Sequence, residues 1–158
     1  MTGTVRDIPE GHARPGRSAT AAALIGVGLM AGIDEIVFHQ LLNWHHFYDR
    51  STPTLGLFSD GLLHAGELVA LVAGFFLIAD LRRHRALVPR AAWAGLFLGS
   101  GGFQLFDGVV DHKLLRVHQI RYGVDLVPYD VAWIGVAVLL LAVGALLARR
   151  IRRTAGRR

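Results

Sequence analysis

At 158 residues the chain has room for one domain of ordinary size. It is 53% hydrophobic and has no cysteine, which excludes a disulfide frame, a thiolate metal site and a thiol nucleophile. The formal charge of +5 comes from short arginine clusters beside apolar runs, a distribution that argues for a membrane and against nucleic acid as partner.

Residues 1–17 are polar, carry Pro9 and Pro15 and show no periodicity, so they predict a disordered cytoplasmic tail. The apolar run that follows flows straight into a polar motif, DEIVFHQLLNWHH, which argues against a cleaved secretory leader. A first span is expected from about residue 18 to 46. At 1.5 Å per residue this is roughly 43 Å, longer than the ~30 Å hydrocarbon core requires. An irregular loop with Pro53 and Gly56 leads to a second span over residues 60–81, which begins DGLLHAGE. The basic turn RRHRALVPR precedes a third span over residues 89–118, with Pro89 suited to the first helical turn. A second loop leads to Pro128 and a fourth span over residues 129–148, and a basic tail, 149–158, closes the chain. The fold class expected is all-α: a transmembrane four-helix bundle over residues 18–148.

Thirteen Lys and Arg residues fall on one side of these spans and four on the other. The positive-inside rule then places both termini in the cytoplasm of a multi-pass inner-membrane protein. Trp44, Trp133, Tyr48, Tyr122 and Tyr129 gather at the outer level, as an aromatic belt does.

The polar motif occurs twice. Residues 34–46 match residues 107–119 at a constant offset of 73, pairing Asp34 with Asp107, His39 with His112 and His45 with His118. Gly26 and Gly28 pair with Gly99 and Gly101 at the same offset. Two tandem two-helix repeats, about 18–82 and 89–148, are therefore expected, related by a pseudo-twofold axis along the membrane normal. Asp60 corresponds to Asp130, and His64 then faces Ile134, so the second half has lost that histidine.

Depth is counted from the cytoplasmic arginines. Asp34 and Asp107 each lie about 26 Å along their helix, and Glu67 and His64 come at roughly 22 and 27 Å. Acids and imidazoles thus converge in the outer half of the bundle, where unpaired they cost several kcal/mol each. Imidazole and carboxylate without sulfur suit Zn, Fe, Mn, Ni or Cu(II). Asp34, His39, His64, Asp107 and His112 are the expected ligands of one or two ions. Glu35, His45, His46, Asp60, Glu67, Asp111, His118 and Asp130 are expected to surround them or form an outer mouth. Such a site could serve redox chemistry, hydrolysis or metal delivery to a membrane partner, and the residues do not decide whether the protein is an enzyme.

Other readings stand beside this one. Paired histidines such as His39 and His112 could hold haem. The Asp/His chain could pass protons or cations, or the groups could satisfy one another in a ligand-free assembly protein. Asp60 and Asp130 read equally well as N-caps of the second and fourth spans. The glycine pairs Gly28–Gly32 and Gly95–Gly99 suit close helix approach, and a homo-oligomer is compatible with the pattern.

Through DEIVFHQLLNWHH, DGLLH and FDGVVDHKLLRVHQIR the chain resembles the prokaryotic predicted membrane proteins of domain-of-unknown-function family 2243, over roughly residues 20–148. The resemblance implies a four-span inner-membrane protein and points to Asp34, His39, His45, His46, Asp60, His64, Asp107, His112, His118 and Asp130. Asp111 stands where the family pattern leads us to expect Asn.

Overall fold

The computed structural model describes residues 12–155. Among these residues there are four α-helices and no strand: α1 (Pro15–Asp34), α2 (Pro53–Arg83), α3 (Pro89–Phe106) and α4 (Val127–Ala155). α1 continues into a π-helical segment, Glu35–Leu41, and α3 into another, Asp107–Leu114. α1, α2 and α4 are long and apolar enough to cross a membrane, α1 together with its π segment. α3 is the shortest of the four at 18 residues, and the π segment that extends it carries Asp107, Asp111 and Lys113.

The helices stand in a row. α1 packs against α2 on one side and α3 on the other, and α3 packs against α4; among the described residues α2 and α4 do not meet. The expected facing of the first and third helices is observed, whereas the arrangement is an open layer in which the outer pair stay apart. Small residues set the spacing at the centre. A Cβ on Gly95 would collide with the backbone oxygen of Ala19, one on Gly99 with that of Ala23, and one on Gly26 with that of Leu96. The α1 and α3 backbones are therefore in direct contact, the arrangement that small residues permit where hydrocarbon surrounds the helices. The outer helices turn apolar side chains outward, among them Phe58, Val69, Phe76, Val131 and Leu139. Large exposed apolar surface of this kind fits contact with lipid tails.

The arginine-rich ends meet at one end of the row. The Arg14 N–H donates to the Ala86 carbonyl at 2.9 Å, and buried Ser18 links the same segments. Its hydroxyl donates to the Arg14 carbonyl at 2.8 Å and accepts from the Val88 N–H at 3.0 Å. Replacing Ser18 with Ala leaves that N–H without its partner. A loss of roughly 1–3 kcal/mol is expected in thermal or denaturant unfolding of the detergent-solubilised protein.

Several boundaries differ from those read off the sequence: the π segments end at Leu41 and Leu114, short of residues 46 and 118, and α4 runs on to Ala155 through most of the expected basic tail. α1 begins at Pro15 and not at residue 18, and only residues 12–14 of the expected tail precede it within the described part. α2 begins at Pro53, seven residues before Asp60. Thr52 caps it through its side-chain oxygen, which accepts from the Leu55 N–H, and Pro53 occupies the first turn, where its missing N–H costs nothing. Gly56 lies inside the helix because the His46 ring packs where its Cβ would stand. Asp60 is thus no N-cap. Nor is Asp130: α4 starts at Val127, whose N–H is accepted by the Asp125 carboxylate.

Candidate metal centre

The two π-helical segments carry the polar motifs. Their wider turns are closed by Leu42 N–H to the Val37 carbonyl at 2.9 Å, and by Leu115 N–H to the Val110 carbonyl at 2.7 Å. These bonds reach back five residues, the π pattern, which recurs at functional sites. Asn43 and Arg116, with φ of 48° and 52°, end the two segments in the left-handed region. All three pairs of positions are 73 residues apart. An ideal α-helix would turn Glu35 about 100° from Asp34; with the π turn starting there, both side chains are buried.

Four imidazoles and two carboxylates fill the space between the two segments. His112 and His118 are each 1% exposed, His39 2%, His45 4%, and Asp34 and Asp107 2% each. The His45 and His118 rings stack at 4.7 Å, with planes within 3°. His39 stands edge-on to His45 at 4.5 Å, and His112 edge-on to His118 at 4.6 Å. The cross distances, His39 to His118 at 6.2 Å and His45 to His112 at 6.1 Å, are equally matched.

Backbone carbonyls fix which ring nitrogen faces inward. His45 Nδ1 lies 3.0 Å from the Ile120 oxygen, and His118 Nδ1 lies 2.9 Å from the Phe47 oxygen. A carbonyl only accepts, so each Nδ1 carries a proton, and it is Nε2 that each ring turns to the centre. His39 Nδ1 is held at 2.7 Å by the Glu35 carboxylate, with Asp60 at 3.2 Å. The Nε2 atoms of His39, His45, His112 and His118 are all buried without a hydrogen-bond partner, as is Asp107 Oδ2. Buried polar atoms left in this state cost free energy.

The spacing suits metal ligation. A tetrahedral ion bound at about 2.0–2.1 Å sets its donor atoms about 3.4 Å apart. Asp107 lies 3.2 Å from His112 Nε2 and 3.3 Å from His118 Nε2, and Asp34 lies 3.7 Å from His39 Nε2. Two three-residue groups have donors within 4.8 Å of one another here: Asp34, His39 and His45, and His45, His112 and His118. Glu35, His39 and Asp60 form a third to one side.

The remaining expected residues are placed as follows. His64 stands apart, its ring half-exposed on α2 and 2.7 Å from Glu67. His45 and His118, expected at a mouth, lie within the cluster. His46 holds Asp60 at 2.5 Å, and Phe47 N–H donates to the same carboxylate at 2.7 Å. Asp111 is buried beside Asp107. Asp130 pairs with the Lys113 ammonium at 2.6 Å. Sequence reasoning gave no role to Lys113 or to Arg121. The Arg121 guanidinium lies 4.7 Å over the Trp44 ring and donates to the Tyr129 hydroxyl at 2.6 Å. With Phe38 and Trp133, these rings wall the cluster on the α4 side. The only sequence signal was the gathering of aromatics at this level.

Apolar helices of spanning length, with imidazoles and carboxylates buried between their ends, define the class: an all-helical membrane protein. The chain belongs to the family described as Predicted membrane protein (DUF2243), whose model matches residues 21–151. Neither a curated protein nor a solved structure matches the chain.

Proposed function

We propose that this protein is a four-span inner-membrane protein, built from two tandem repeats, that holds one or two transition-metal ions among His39, His45, His112, His118, Asp34 and Asp107. The carrying observation is the fixed tautomer of His45 and His118 together with four buried Nε2 atoms that lack any hydrogen-bond partner. Lone pairs facing one another, with the Asp34 and Asp107 carboxylates 3.2–3.7 Å from three of them, make a pocket that a cation would satisfy. Imidazoles whose other nitrogen is tied to a carbonyl or carboxylate are the usual metal-binding form. The ligand set, nitrogen-rich with carboxylate and no sulfur, favours Zn, Cu(II), Fe or Ni.

Two ions fit better than one. Asp34–His39–His45 and Asp107–His112–His118 are equivalent sets at the 73-residue offset, and the stacked rings of His45 and His118 lie between them. Rings this close also favour bare ions over haem, since a porphyrin would have to part them. The basic ends of the helices support cytoplasmic termini, which sets the metal centre in the outer half of the membrane.

Elemental analysis of detergent-purified protein, expressed at native levels, tests this reading. The wild type is expected to carry stoichiometric transition metal, and His39→Ala/His112→Ala to carry background amounts. A wild type free of metal removes the proposal, and a strong Soret band would replace it with haem.

A further inference from the structure

The two halves agree at the centre and diverge at the side. α2 and α4 correspond at an offset of 70, because Gly28 packs on Glu67 and Leu71 while Gly101 packs on Ala137 and Leu141. Asp60 then matches Asp130. Around Asp60 the first half has Glu35, Gln40, His46, His64 and Glu67; the second half has Gly108, Lys113, Gln119, Ile134 and Ala137. In the second half the one retained acid, Asp130, is neutralised by the Lys113 ammonium at 2.6 Å. In the first half no lysine is present, and the buried carboxylates of Glu35, Asp60 and Glu67 are met by imidazoles, the Gln40 amide and the Phe47 N–H. Glu67 Oε2 has no hydrogen-bond partner and faces α1 at Gly32, one turn from Glu35.

We propose that Glu35 and Asp60, with His39 Nδ1 as third donor, form a separate binding site for a hard divalent cation, which takes the place that the tethered Lys113 ammonium holds in the other half. The three donors lie within 4.8 Å of one another and are buried. Two carboxylates and one imidazole suit Mn²⁺ or Fe²⁺ better than the nitrogen-rich centre does. An open cavity of about 380 Å³ between the first π segment and α2 reaches the site at Glu35, with Gln40 and His64 as well as Ile36, Leu57 and Gly61 in its lining. His39 is shared, its Nδ1 facing this site and its Nε2 the centre, so with both sites filled it releases its ring proton and bridges them as an imidazolate; the other central ligands take no part.

Gln40 is the counterpart of Lys113, is exposed and donates to Glu35 at 2.7 Å, so Gln40→Lys delivers an ammonium to the Glu35–Asp60 pair in place of that amide. Full-length protein stripped with chelator would be titrated with Mn²⁺, and the free ion followed by electron paramagnetic resonance. The wild type and His45→Ala/His118→Ala are expected to bind one Mn²⁺ at this site, and Gln40→Lys and Asp60→Asn to bind it about tenfold or more weakly. Unchanged Mn²⁺ affinity in Gln40→Lys overturns the proposal. So does a wild type that binds no Mn²⁺, or a site lost only with His45 and His118. None of these outcomes bears on metal at the central imidazoles, which the elemental analysis reads independently.

Discussion

Gly95→Ala/Gly99→Ala is expected to unfold the detergent-solubilised protein or weaken it by about 3 kcal/mol or more, against a change within about 0.5 kcal/mol for Gly102→Ala. Each added methyl at the first two positions would overlap a backbone oxygen of α1, Ala19 in one case and Ala23 in the other. Backbone cannot rotate away as a side-chain tip can, so the two helices must separate along their whole contact. Gly102 has nothing within 4 Å of its would-be Cβ, and alanine there gains helix propensity. The comparison separates packing from propensity: all three changes are Gly to Ala in the same helix. Equal stability of the two variants in thermal unfolding would contradict the close approach. Because Asp34 and His39 follow α1 and Asp107 and His112 follow α3, the destabilised variant should also lose metal.

The second large effect is on thermal stability. In metal-free protein, four buried Nε2 atoms face one another without a partner, so an ion that binds the folded state alone stabilises it by mass action. At a thousandfold excess over the dissociation constant this amounts to about 4 kcal/mol. For a chain of this size each kcal/mol moves the midpoint by about 2–4 °C, which gives a rise of roughly 10 °C on adding Zn²⁺ to chelator-treated protein. His45→Ala/His118→Ala should show no comparable rise. A wild type whose melting is indifferent to Zn²⁺, Cu²⁺, Ni²⁺ and Fe²⁺ alike would leave the central imidazoles without the role given to them.

Much of the site was legible because its residues are expensive. Asp34, His39, Asp107 and His112 stand at matched positions within apolar runs, and a depth count of 1.5 Å per residue brought them to one layer. The count failed where the helix was not α. A uniform rod over residues 34–46 carries His45, and His118 likewise, outward to a mouth, and at 100° per residue it turns Glu35 away from Asp34. The π segments change the angular step, and the left-handed Asn43 and Arg116 turn the following residues back over the centre. No local propensity announces a π turn; it forms because the wider turn lets more polar groups face inward. The start of α2 was misjudged for a different reason. Pro53 and Gly56 read as loop markers, yet one sits where proline suits a helix and the other makes room for His46. Lys113 was counted only as a charge for orientation, since its partner Asp130 lies 17 residues on, in another helix.

The carbonyl ties of His45 and His118 are crossed. The oxygen that orients His45 comes from Ile120, in the loop after its counterpart, and the oxygen that orients His118 comes from Phe47. Neither half can therefore aim its own outer imidazole; each lends the other a peptide group. Severed between α2 and α3, the fragments would be two incomplete sockets, able to regain their shape only by finding each other again. Joining them in one polypeptide secures that meeting.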